Sequence, residues 1–262
     1  MQHSSYIGVT DFENRHDVNT VSALIPPSST HKLHVGAMMS YKSLHGIPSR
    51  VGWENIWLNA EGLRALFAND NRVLNTLHWA DYDNLTQVGD LIQAASLCGE
   101  YLHAMQLDMV WPEIELIEQL KTARPELKII LQVSHKAMEQ IPSTQTLQSM
   151  LARYEQSVDY ILLDWGMGRG EAFEPQQALS VVEAALEVFE EPRIAVAGGL
   201  GPQTYTNLRE ILTKYPLISC DAQGRLRTSG SATEKLEMER VKGYVGGVVQ
   251  LLEEVKVKKP KI

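Results

Sequence analysis

Short apolar runs alternate with amphipathic stretches along the chain. The runs are Tyr6 to Thr10, His31 to Ser40, Arg72 to Trp79, Tyr101 to Leu107, Leu127 to Val133, Val158 to Asp164, Arg193 to Gly198 and Pro216 to Cys220. Each is short and mostly apolar, and most end at or just before Gly, Asp or Ser, as strands do. Between them lie stretches with helical spacing of apolar positions, of which PQQALSVVEAALEVF is the clearest and TEKLEMERVKGYVGGVVQLLEEV the last. Pro112 can open one helix, because the first turn tolerates proline, and Asn59 is placed to cap another.

Eight strand-then-helix units predict an α/β fold with a parallel sheet, and that count predicts closure into a (β/α)8 TIM barrel. A doubly wound open sheet is the alternative, but no glycine-rich dinucleotide fingerprint follows the first run. No linker composition interrupts the pattern, so residues 1–262 read as one barrel domain. Its longest irregular stretch, about 41–58, holds Tyr41, Trp53 and Trp57. Loops of that length are uncommon unless functional. These aromatics could pack down on the core, cover a ligand, or meet a second subunit in a homodimer.

Composition narrows the setting. A formal net charge of -8 gives no general attraction to nucleic acid or to an anionic membrane. The two cysteines, Cys98 and Cys220, are far apart and suggest neither a disulfide framework nor a zinc site, which suits a reducing cytosol. The first residues lack a signal-peptide pattern and no run reaches the length of a membrane span, so a cytoplasmic protein is expected. Nothing in the residue pattern calls for a metal or an organic cofactor.

In a barrel the chemistry sits where strands end. Asp164 closes the sixth run behind three apolar residues, and partial burial there would suit a carboxyl to proton transfer. Asp11 and Asp81 end or follow the first and third runs, with loop capping as the plainer reading of each. Gln106 and Asp108 share a face of the fourth strand. His34, His78 and His103 lie inside strand patterns, where a hydrogen-bonded core histidine is the simpler expectation. Gly198 and Gly199 after the seventh run, and Gly224 after the eighth, would let the backbone approach a phosphate; plain turn geometry is the bland reading. Lys42 and Lys136 sit just past strand ends, as a Schiff-base lysine would, with nothing nearby in sequence to lower their pKa.

Several of these segments resemble phosphoribosylanthranilate isomerase. They are YIGVT, LHAMQLD, YILLD, GRGEAF, VAGGLGPQTYTNL and ISCDAQGRL. The resemblance implies a ribulose-phosphate-binding type of barrel and acid/base isomerisation of a small phosphorylated sugar-like substrate. It makes Asp164 the general acid, gives Gly198, Gly199, Ala222, Gln223 and Gly224 to the phosphate turns, and sets Arg50 against a substrate carboxylate. Asp11, Asp81 or Asp108 would then supply the partner for proton transfer, and Gln106 a substrate contact. The match departs at Ile7, where the family carries its basic cysteine, at Asp108, where it carries histidine, and at Ala222 and Gln223, where it carries serines. A barrel kept for binding or regulation, without catalysis, is the other function class these departures allow.

Overall fold

The computed structural model describes residues 3–48, 52, 56–164 and 175–258. Its strands are β1 (Ser5–Thr10), β2 (His31–Ser40), β3 (Val73–Asp81), β4 (Ala104–Met109), β5 (Lys128–Val133), β6 (Tyr160–Asp164), β7 (Ile194–Ala197) and β8 (Ser219–Ala222). They pair in parallel, each with the next, and β8 closes on β1. The helices are α1 (Arg15–Ser22), α2 (Tyr41–Leu44), α3 (Ala60–Leu66), α4 (Val88–Leu97), α5 (Ile114–Ala123), α6 (His135–Met138), α7 (Thr144–Tyr154), α8 (Pro175–Leu186), α9 (Arg209–Lys214) and α10 (Met238–Lys258). This is the (β/α)8 barrel that the alternating pattern predicts.

Period-two alternation sorts the strand residues into two apolar layers. The outer layer packs strand residues such as Ile7, Val35, Leu107, Leu131 and Val196 against helix residues such as Val18, Leu91, Ile117 and Val248. The inner layer is a smaller cluster of Tyr6, Leu74, Ala104, Ile130, Tyr160, Leu162, Ala195 and Ala197. The barrel interior is therefore packed with side chains and is not a pore. Tyr6 stacks on His34 with ring centroids 4.9 Å apart and meets Tyr160 edge-on at 5.8 Å. Towards the C-terminal ends of the strands this interior becomes polar, and the site lies there.

Sequence and structure differ at several boundaries. β8 starts at Ser219, three residues after the expected edge at Pro216, and runs to Ala222, so Asp221 lies inside a strand and not in a loop. β4 begins at Ala104 and extends to Met109, which brings Asp108 into the sheet. The stretch after Ser40 opens with the single turn α2, fixed by a reciprocal bond pair in which the Ser43 amide donates to the Ser40 hydroxyl and the Ser40 amide to the Ser43 hydroxyl. Of the described helices, none is long and apolar enough to cross a membrane.

Candidate active site

A small cleft opens at the C-terminal end of the barrel, lined by Asp164, Asp221, His78, Gln106 and Gln132. Gly198, Gly199, Ala222, Gln223, Gly224 and Arg225 also line it. Each interior residue is placed by strand register. Asp221 pairs with Gly8 on one side and Ala197 on the other, so its neighbours leave space for a carboxyl group. Gly198 and Gly199 take φ of 121° and 62°, a backbone that side-chain-bearing residues seldom adopt. Gly201 admits Arg225, whose Cβ would stand 2.7 Å from a Cβ at that position.

A continuous line of polar contacts crosses the interior from β3 to β6. Tyr82, just past β3, donates its hydroxyl to Asp108 Oδ2. The same carboxylate oxygen lies 3.5 Å from His78 Nε2. Gln106 Nε2 is 3.2 Å from His78 Nδ1 and donates to Gln132 Oε1 at 2.8 Å. Gln132 Nε2 donates to Asp164 Oδ2 at 3.0 Å. Apart from half-exposed Tyr82 and the rim residue Asp164, these groups are buried.

Burial sets the electrostatics. It raises the Asp221 pKa to about 7, and the negative charges of Asp164 and Asp11 add to the effect while His78 opposes it. Burial disfavours the imidazolium of His78, but the carboxylates of Asp108, Asp221 and Asp11 together outweigh it and raise the pKa. His34 lies below, with Nδ1 3.8 Å from Asp221 Oδ1, and burial pulls its pKa down to about 3. A histidine with a raised pKa, one with a lowered pKa and a carboxyl with a raised pKa thus lie close together, an arrangement common where protons are moved.

The residues marked out by sequence fall into distinct places. Asp164, Gln106, Gly198, Gly199, Ala222, Gln223 and Gly224 come together around the cleft. Asp108 lies behind it, occupied by His78 and Tyr82. Asp11 is corrected to a structural ion pair: its Oδ2 is 2.6 Å from Arg227 Nη2, with both side chains buried. It also accepts from Gln223 Nε2 at 3.3 Å, and its φ of 78° marks a left-handed turn at the end of β1. Asp81 takes the plainer of its two expected roles, a loop cap, because it accepts from the Thr86 amide and hydroxyl and from the amides of Leu85 and Asp83. That network leaves it no part in the cleft. Arg50, Trp53 and the GRGEAF loop lie outside the described residues.

Sequence reasoning missed Asp221, Gln132 and the cleft position of His78. Asp221 carried a readable signal, since an acidic residue directly after an apolar run is the feature that singled out Asp164. Gln132 is likewise a lone amide in an apolar strand, as Gln106 is. His34 departs from the expected hydrogen-bonded core histidine, for neither ring nitrogen has a hydrogen-bond partner among the described residues. No group of three or more potential metal-ligating His, Cys, Asp or Glu side chains occurs among the described residues.

No family model matches the chain, and no curated protein matches it. Solved structures do. The catalytic domain of a hyperthermophilic chitinase from Pyrococcus furiosus aligns with a TM-score of 0.60 at 8% identity, covering 97% of this chain and 96% of that one. Catalytic-site mutants of active domain 2 of a thermostable chitinase from Pyrococcus furiosus, complexed with chito-oligosaccharides, align at 0.60 and 9%, over 100% and 98%. A psychrophilic glycoside hydrolase family 10 endo-beta-1,4-xylanase aligns at 0.50 and 12%, over 94% and 96%. At such identities the likeness establishes the fold.

These findings overturn the resemblance to phosphoribosylanthranilate isomerase and the isomerase activity it implied. No family model or curated protein stands behind it, and the matched barrels above are chitinase and xylanase domains. The structure adds a physical reason. Ile7, at the position of the family's base, belongs to the outer layer packed against helices and does not face the barrel interior.

Proposed function

We propose that this chain is a carbohydrate-processing enzyme working by acid–base chemistry, with Asp221 as the proton donor and Asp164 as its carboxylate partner. The observation that carries this is the pairing of the two in one cleft, where burial and the neighbouring negative charge hold the Asp221 proton to about pH 7. Two carboxyl groups with environments that push their proton affinities apart can divide the roles of acid and base between them. Glycosidic bond cleavage uses such a pair, one carboxyl protonating the leaving oxygen while the other acts on the opposite side of the sugar. The amides of Gln106, Gln132 and Gln223 in the same cleft offer the donor and acceptor groups that sugar hydroxyls require. The chitinases and the xylanase that share the fold act in the same chemical territory, which agrees with this reading.

The direct test is an assay of reducing-end release from chito- and xylo-oligosaccharides, run on the wild type and on Asp221→Asn and Asp164→Asn. Loss of a general acid or base should lower turnover by roughly 10²–10⁴-fold. Variants as active as the wild type would remove the assignment. Oligosaccharide binding without turnover would instead favour a non-catalytic binding barrel.

A further inference from the structure

We propose that His78 is a positioning residue at one end of a two-amide relay, through which its charge sets the face that Gln132 turns to Asp164. The geometry is the chain of contacts across β3, β4, β5 and β6. Gln106 Nε2 stands between two acceptors, His78 Nδ1 at 3.2 Å and Gln132 Oε1 at 2.8 Å, and Gln132 Nε2 reaches Asp164 Oδ2 at 3.0 Å. An amide nitrogen only donates and an amide oxygen only accepts. This arrangement therefore belongs to a His78 whose single proton is on Nε2, facing Asp108. It also leaves Gln106 Oε1, which is buried, with no hydrogen-bond partner among the described residues.

A second proton on His78 reverses the chain. It must sit on Nδ1, and Gln106 then turns its oxygen to accept from that nitrogen. The oxygen now faces Gln132 Oε1, and two acceptors at hydrogen-bond distance repel. Gln132 turns in response, giving its nitrogen to Gln106 and its oxygen to Asp164. Two oxygens can face each other there only with a proton between them, so Asp164 takes one from solvent and donates it to Gln132. The relay thus makes protonation of His78 and protonation of Asp164 favour each other. Through space alone, a cationic His78 would act in the opposite sense and favour an ionised Asp164.

Other groups bias the same equilibrium. His78 faces Asp108 on β4, Asp221 on β8 and Asp11 after β1, and its charge is felt by His34 on β2. Asp164 faces Asp221. These fields set where the change occurs, whereas the two amides set its direction. The relay does not depend on which reaction the cleft carries out.

The test is an NMR pH titration of the full chain, following the His78 ring nitrogens, the Asp164 carboxyl carbon and the side-chain amides of Gln106 and Gln132. In the wild type we expect the ring, the carboxyl and both amides to change in one common step, steeper than a single-proton curve. Gln106→Met keeps the chain length but cannot relay, and should part the His78 and Asp164 steps by about one pH unit or more. An Asp164 curve unchanged in Gln106→Met would overturn the proposal. Should that variant fail to fold, the wild-type amides decide: Gln106 and Gln132 signals that stay fixed while His78 titrates would overturn it equally, and signals that move with it would support it.

Discussion

Asp221 occupies the space that a side chain on Gly8 would fill: a Cβ built there stands 2.0 Å from Asp221 Oδ1 and 2.8 Å from its Cγ. The two residues are register partners on β1 and β8, so the glycine and the carboxyl form one unit. Gly8→Ala must therefore push Asp221 out of its place. Over-packing of this kind costs about 1–3 kcal/mol, and a chain of this size loses roughly 2–4 °C of melting temperature per kcal/mol. The expected result is a lower melting temperature together with the activity loss of Asp221→Asn. A Gly8→Ala protein with wild-type melting and turnover would mean that Asp221 is not seated over Gly8.

Asp221 also predicts a pH dependence of stability. Its carboxyl ionises near 3.8 in the unfolded chain and at about 7 in the native protein, because burial disfavours the charge. Between those values the native state binds more protons than the unfolded state. The stabilisation is full below the unfolded value and is lost as pH rises through the window, by an amount on the order of a few kcal/mol. Asp221→Asn should remove that fall, so its stability relative to the wild type should climb from acid to neutral pH. Urea unfolding at matched pH values checks this, and parallel curves for the two proteins would refute it. Turnover that needs the Asp221 proton should decline as pH rises past about 7.

His34 acts with the opposite sign. Burial lowers its pKa from 6.5 to about 3, with the charge of His78 adding to the effect. Between those values the unfolded chain binds the extra proton, so stability is lost as pH falls below the unfolded value. His34→Phe keeps a ring against Tyr6 and cannot be charged. Its acid-side unfolding should be shallower than that of the wild type, with midpoints in urea as the measure. An acid limb as steep as that of the wild type would place the acid sensitivity elsewhere.

The barrel was legible because its cause is periodic. Apolar runs such as YILLD and IAVA, separated by amphipathic helices, leave few topologies open. The site was less so, for reasons tied to single residues. Asp221 was lost by ending β8 at Cys220, and a shift of two residues decides whether a carboxyl is read as loop or interior. The turns α2 and α6 span four residues each and are too short to show helical spacing. The segment VAGGLGP misled in another way. Gly198 and Gly199 are needed for positive φ at the end of β7, so the match attests a backbone turn and carries no information about chemistry.

The ion pair between Asp11 and Arg227 is the strongest stability prediction. Arg227 is fully buried, and besides Asp11 it donates to the backbone oxygens of Gln223, Thr10 and Glu234. It therefore ties the end of β1 to the turn after β8. Burial raises the Asp11 pKa, and Arg227 opposes that rise. Arg227→Met leaves the carboxyl without its cation and three carbonyl groups without a donor. Breaking a buried pair from one side costs about 3–5 kcal/mol, which is roughly 6–20 °C of melting temperature at 2–4 °C per kcal/mol. Adding Asp11→Asn removes the uncompensated charge, so the double variant should be more stable than Arg227→Met alone. Thermal unfolding of both variants measures this. A double variant no more stable than Arg227→Met would assign the whole loss to the three carbonyl bonds, with nothing left for the ion pair.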